Sequence, residues 1–131
     1  MRLWHTDIIN GLPRQQLLSQ WRELLAIKRK IDICGTPNHI LVNYVINLKL
    51  KEWQDYCAKV YNEMTTRGYK ADKKIYEELM VAQISGQSDL LEYHTKCYLE
   101  ICYYNLLEKY IRCGISVQEY VTLKKYFGGI I

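Results

Sequence analysis

An all-α fold in a single domain is what the sequence predicts, and three observations carry it. Apolar residues recur at three- and four-residue spacing through most of the chain, as one buried helix face requires. Only Pro13 and Pro37 interrupt the pattern, and starting and stopping residues, Asp72 and Ser116 or Gly68 and Gly114, fall between the periodic stretches. At 131 residues the chain closes one modest core and not two, so residues 1–131 are read as one compact domain of about four to five helices.

The first helix is expected over about 13 to 30. Pro13 suits the first turn, and Leu17, Leu18, Trp21, Leu24 and Leu25 repeat at helical spacing, while Gln15, Gln16, Ser19, Arg22 and Glu23 form a polar face. Residues 35–50 are ambiguous: VNYVINL is rich in β-branched residues, yet Leu41, Tyr44 or Val45 and Leu48 also fit a helix, and a buried connector is expected. A second helix spans about 51 to 67, with Trp53, Tyr56, Cys57, Val60, Tyr61 and Met64 inward and Gly68 ending it. A third starts at Asp72 and ends before Gly86. A fourth opens at Ser88 and reaches toward Cys113, with Gly114 as its stop. The last has Ser116 as N-cap and Glu119 three residues on, the reciprocal pairing of a capping box.

Composition excludes several classes of function. No apolar run approaches the length of a membrane span, and MRLWHTDIING lacks the apolar core of a secretory signal, so a protein acting inside the cell and off the membrane is expected. Cys34, Cys57, Cys97, Cys102 and Cys113 are odd in number and form no C-x-x-C pair; they are expected to be reduced and mostly buried. His94, Cys97 and Cys102 are the nearest approach to a ligand set, lack a fourth member, and leave no metal or cofactor expected. No P-loop, dinucleotide fingerprint, H-E-x-x-H or G-x-S-x-G motif occurs. The net charge of +4 lies entirely in residues 1–30, where Arg2, Arg14, Arg22, Lys28, Arg29 and Lys30 face only Asp7 and Glu23. Such asymmetry suits a polyanion against the N-terminal element, and equally a solvated helix face. From periodicity alone Glu23 is either a reactive carboxylate or a surface charge balancing Arg22 or Lys30.

Read in order, MRLW, LPRQQLLSQWRELL, HILVNY over 39–44 and EMTTRGY ending at Tyr69 resemble the pyrimidine-dimer DNA glycosylase family, the phage endonuclease V type and its bacterial relatives. Farther on, His94 with NLLEKYI resembles the family's late helix, and TLKKYFGGII its aromatic, basic tail. The resemblance implies a small all-α, endonuclease V-like enzyme. It would bind double-stranded DNA with damaged pyrimidines as a monomer, extrude a base, cut the glycosidic bond and nick the strand by β-elimination, without a cofactor.

It also implies roles residue by residue. The nucleophile is the chain's own α-amine, here that of Met1 because Arg2 is too bulky for methionine removal; an α-amine with an ordinary pKa of about 7.7–8.0 is far more often unprotonated than a lysine. Glu23 matches the catalytic carboxylate that assists ring opening and takes the elimination proton. Arg2 and Arg22 match arginines on phosphates or the opened duplex, Gln15 a family glutamine, Lys109 a late-helix lysine, and Lys125 with Tyr126 the tail at the lesion. Three positions depart from the pattern: Gln16 replaces a histidine, Asn105 stands near a phosphate-binding arginine, and Ala26 replaces a basic residue for which Lys28 and Arg29 offer substitutes. The alternative function is a helical module that keeps the fold and binds DNA or protein without chemistry.

Overall fold

A computed structural model describes residues 1–128; the last three residues of the tail stretch TLKKYFGGII lie outside the described ones. The described chain folds into five α-helices and three 3₁₀ turns, with one isolated parallel bridge between Leu48 and Ser88 as its only extended pairing. Helix α1 is Arg14–Cys34, α2 Leu50–Thr66, α3 Lys73–Met80, α4 Lys96–Ile111 and α5 Val117–Lys124. Helix α2 packs against α1, α3 and the first 3₁₀ turn, Thr6–Gly11; α5 covers that turn and meets α4.

Helix α1 runs four residues past its expected end. Leu17, Trp21, Leu24, Ile27 and Ile31 form a continuous buried row, and Gly35, at φ +77°, accepts the left-handed conformation that stops it, its N–H donating to the Ile31 carbonyl at 2.8 Å. The same row includes two polar residues, Gln20 and Lys28, whereas Leu18 and Leu25 are only partly buried. Helix α2 turns Trp53, Tyr56, Cys57, Val60 and Met64 into the core, and Gly68 at φ +79° follows its end. Tyr61 is only half-buried and stacks on Tyr76, ring centres 4.3 Å apart.

The connector at 35–50 contains one 3₁₀ turn, Asn43–Asn47, and is only partly buried: Val42, Val45 and Leu48 enter the core while Ile40 and Leu41 stay exposed. Helix α3 is capped by the Asp72 side chain, which accepts from Lys74 N–H, and it ends at Met80, before Gly86. Gly86 instead permits a close crossing of two segments. A Cβ there would stand 2.1 Å from the Asn47 carbonyl oxygen, so its bareness lets 84–88 pass the 3₁₀ turn and pair Ser88 N–H with that carbonyl at 2.8 Å.

The fourth helix expected from Ser88 is two pieces. Ser88 is used in the bridge, a short 3₁₀ turn Leu90–Glu92 follows, and α4 starts only after Thr95, whose hydroxyl accepts from Tyr98 N–H. The break buries His94, whose Nδ1 accepts from Thr6 N–H at 3.0 Å and whose Nε2 lies 2.8 Å from the Tyr44 hydroxyl. At the far end Cys113, not Gly114, takes positive φ. The capping box at Ser116 and Glu119 is present. The cysteine expectation is corrected: Cys57 and Cys102 are buried, but Cys34, Cys97 and Cys113 are exposed because they lie at helix ends or outer turns; all five are free.

Candidate active site

The N-terminal segment is extended, without helical hydrogen bonds of its own, and its backbone is held by side chains from three helices. Gln20, fully buried on α1, accepts from Trp4 N–H at 2.8 Å and donates to the Arg2 carbonyl at 3.1 Å. Its amide thus pairs with residues 2 and 4 as a neighbouring strand would. Tyr56 on α2 donates to the Trp4 carbonyl at 2.6 Å and lies 3.0 Å from the Gln20 Oε1; Tyr98 on α4 donates to the Leu3 carbonyl at 2.5 Å. Burial pushes both phenols well above their ordinary pKa, so they remain protonated donors. Leu3 and Trp4 are buried beneath, and Met1 remains exposed at the surface.

That clamp brings Met1 to the rim of an open cleft of about 340 Å³. Its floor is the first three turns of α1, Gln15, Gln16, Ser19 and Glu23; its walls are Arg2 and Trp4, Leu41 from the connector, and Asn105 and Lys109 from α4. The four α1 residues share one flank because they are spaced by one, three or four. Arg2 lies over the Trp4 ring, guanidinium carbon 5.5 Å from its centre, and donates a long 3.5 Å bond to Asn105 Oδ1. Asn105 therefore orients Arg2, and its own amide donates to the Ile101 carbonyl at 2.8 Å. Gln16 Oε1 is shielded from solvent and has no donor among the described residues.

Glu23 is half-buried, and that burial raises its carboxyl above the ordinary glutamate value. The α-amine, the Arg2 backbone amide, Arg22 and His39 pull in the opposite direction without overcoming it. Around this one acid stand the Met1 amine, Arg2 and Lys109 in the cleft and Arg22 on the exposed side of α1, donating to Ser19 Oγ at 3.3 Å. The result is a positively framed cleft with one carboxylate whose proton affinity burial has raised.

Five residues expected at the site do not line this cleft: Arg22 is on the exposed side of α1, and four others lie elsewhere. Lys28 is buried on the core-facing row of α1, 2.5 Å from Asp32 and 3.7 Å from Glu78, and Arg29 makes a two-bonded pair with Glu78 at 2.9 and 3.1 Å. Neither substitutes for the missing base at Ala26, because helical rotation carries both to the α3 side. Lys125 and Tyr126 lie beyond α5. The Tyr126 ring covers Gly11, where a Cβ would approach it to 2.4 Å, and neither residue lines the cleft. Reasoning from the sequence missed Gln20, Asn105 as a partner of Arg2, and Leu41; the signal for Gln20 was a polar residue within an apolar row, visible only once the row's centre is known.

A second cleft of similar volume lies near Arg14, Arg67, Tyr69 and Glu119. Its acid is already engaged: Glu119 accepts from Arg14 N–H at 2.7 Å and from Ser116 N–H, and so ties the start of α1 to the start of α5. Among the described residues no group of three or more His, Cys, Asp or Glu side chains is placed to hold a metal ion, and no helix is long and apolar enough to cross a membrane.

The family model for pyrimidine dimer DNA glycosylase matches residues 1–77, more than half of the chain. The chain belongs to that family. The matched stretch of this glycosylase-family protein carries Met1, Arg2, Gln15, Gln16, Arg22 and Glu23 together with the Gln20 and Tyr56 clamps, while Asn105 and Lys109 lie beyond it. No curated protein and no solved structure matches the chain.

Proposed function

We propose that this pyrimidine dimer glycosylase-family protein excises damaged pyrimidines from duplex DNA and then cleaves the abasic strand, with the Met1 α-amine as nucleophile and Glu23 as the proton-transferring group. The observation that supports it above the others is the meeting of the Met1 α-amine and a half-buried carboxylate in one cationic cleft. In the first step the amine nitrogen bonds to C1′ of the lesion nucleotide as the bond from C1′ to the base breaks. The departing base takes up the proton that the attached amine gives up, and protonated Glu23 delivers a proton to O4′ as the C1′–O4′ bond opens to the protonated imine. The Glu23 carboxylate then removes a proton from C2′ as the C3′–O3′ bond breaks and the 3′ phosphate departs. Water hydrolyses the imine and returns the amine.

Each remaining group has a part suited to its chemistry. Arg2, Arg22 and Lys109 offset phosphate charge on either side of the carboxylate. The unpaired Gln16 acceptor and the Gln15 amide suit the hydrogen-bonding edge of an extruded base. Covalent trapping tests the reading. With borohydride present, untagged protein is expected to be captured on duplexes containing an abasic site or a thymine dimer, and protein with an acetylated N-terminus is expected to bind both and be captured on neither. Capture of the acetylated protein would remove the Met1 amine, and binding without capture by the untagged protein would favour a module that keeps the fold and binds only.

A further inference from the structure

We propose that the turn at 39–42 is a duplex wedge, in which Ile40 enters the base stack beside the cleft and holds the lesion strand open toward Met1 and Glu23. The proposal rests on the DNA reading above. Ile40 is 87% exposed and its neighbour Leu41 is 45% exposed, and Leu41 lines the same cleft as Met1 and Glu23. Ile111 and Val117, also exposed, lie at the far end of α4 and on α5 and line no part of that cleft.

The turn is built to hold this pair still. The amides of Val42 and Asn43 both donate to the His39 carbonyl, at 3.0 and 2.9 Å, and Leu41 N–H donates to His39 Nδ1 at 3.3 Å. The Asn43 side chain accepts from His39 N–H at 2.8 Å, Thr36 Oγ1 accepts from Asn38 N–H, and Val42 is fully buried as the anchor. Asn38 takes a left-handed φ of +55°, which asparagine tolerates better than most side chains. A rigid apolar tip therefore projects from a surface whose neighbouring cleft carries Arg2 and Lys109.

An apolar tip beside a cationic cleft matches a base step beside its phosphates: insertion unstacks the step, and the cations hold the adjoining backbone. Such a device suits the cleft, because an open base step beside the lesion lets the strand bend and brings the sugar's C1′ toward the amine. A charged or hydrated loop would leave the vacated stack free to close again.

Equilibrium fluorescence separates the wedge from the chemistry. A dimer-containing duplex carrying 2-aminopurine next to the lesion is expected to brighten when the wild-type protein binds. At equal bound fraction Ile40→Ser should lose most of that rise, and Ile40→Phe should retain it. Borohydride capture on the duplex should slow by on the order of tenfold for Ile40→Ser, with a smaller effect on a single-stranded abasic oligonucleotide, which has no stack to open. Equal brightening by wild type and Ile40→Ser overturns the wedge while capture leaves the enzyme reading standing. Wild-type binding without brightening overturns it as well. Absence of wild-type capture on either substrate instead marks failure of the DNA-chemistry reading. Sedimentation completes the test: a wild-type dimer that Ile40→Ser converts to monomer would assign the tip to a second copy of this chain.

Discussion

In the proposed reaction Glu23 is a residue for which folding and function pull apart. Its burial raises the carboxyl pKa above the ordinary value of 4.5, so its charged form is the one that folding disfavours. The stabilising protonated state is fully present below that ordinary value and is lost as pH rises through the raised one. At pH 7 Glu23→Gln should consequently be at least as stable as the wild type, by less than about 1 kcal/mol because solvent still screens the group, and the advantage should vanish at acid pH. Thermal unfolding at the two pH values measures this. The same variant is expected to bind DNA but nick a dimer-containing plasmid on the order of a hundredfold more slowly, since an amide accepts no proton from C2′. The acidic limb of the wild-type rate should lie above pH 4.5. Nicking by the glutamine protein at the wild-type rate would return Glu23 to a surface role. Gln20 offers a contrasting residue. Gln20→Ala leaves the Arg2 carbonyl and Trp4 N–H without their partner in a buried place, at a cost of roughly 2–4 kcal/mol, and should slow imine capture by loosening the amine's position while leaving the pH profile where it was. Urea unfolding and single-turnover capture read the two effects separately.

Helix α1 serves two partners on opposite flanks. Its cleft-side flank carries Gln15, Gln16, Ser19 and Glu23, and the flank nearer α3 ties Lys28, Asp32 and Arg29 to Glu78. Arg22 belongs to the exposed side near the carboxylate. Arg22→Ala should weaken binding to damaged and intact duplex alike and make the salt dependence shallower by about one counterion; identical salt slopes would detach α1 from the interface. Glu78→Gln should spare DNA binding and lower stability, because it leaves the buried Lys28 with Asp32 as its remaining anion. The connector between α1 and α2 shows how an apolar pattern misleads at this scale. Leu41 fits a helical period, yet the chain turns at His39 and displays it, because Asn43 and the His39 carbonyl satisfy the turn's amides locally.

Across the molecule, the clamp on the N-terminus and the burial of His94 are one construction. His94 and His5 lie with ring centres 5.2 Å apart; His5 Nε2 donates to the His94 carbonyl, and Thr6 and Asp7 amides donate to the two Nδ1 atoms. Both rings are thereby kept neutral. Burial lowers the His94 pKa to about 3, with help from His5 and Lys59, against an ordinary 6.5. An imidazole depressed in the folded state gives its full contribution above 6.5 and loses it as pH falls toward the folded value. Stability should therefore begin to fall just below pH 6.5, by on the order of 2 kcal/mol at about pH 5 from this residue. Chemical unfolding across that range should show the loss, and His94→Gln should flatten it; a flat wild-type profile would mean that the ring is not neutral and buried.

The sequence by itself determined the helical class, the caps at Asp72 and Ser116, the inward face of α2 and the order of residues shared with the family, because these depend on spacing along one chain. It also marked Met1, Arg2, Gln15, Gln16, Glu23, Asn105 and Lys109 as candidates, though nothing in their spacing puts α4 beside α1. Only tertiary structure decided that Lys28 and Arg29 face Glu78, that Tyr126 lies on Gly11, that Gly86 serves a close passage and that a buried glutamine holds the N-terminal backbone. The physical reason is common to all four. Each is a contact between distant segments, whose existence depends on the rotation of whole helices about one another, and a polar side chain in an amphipathic pattern does not reveal which buried backbone group it will meet.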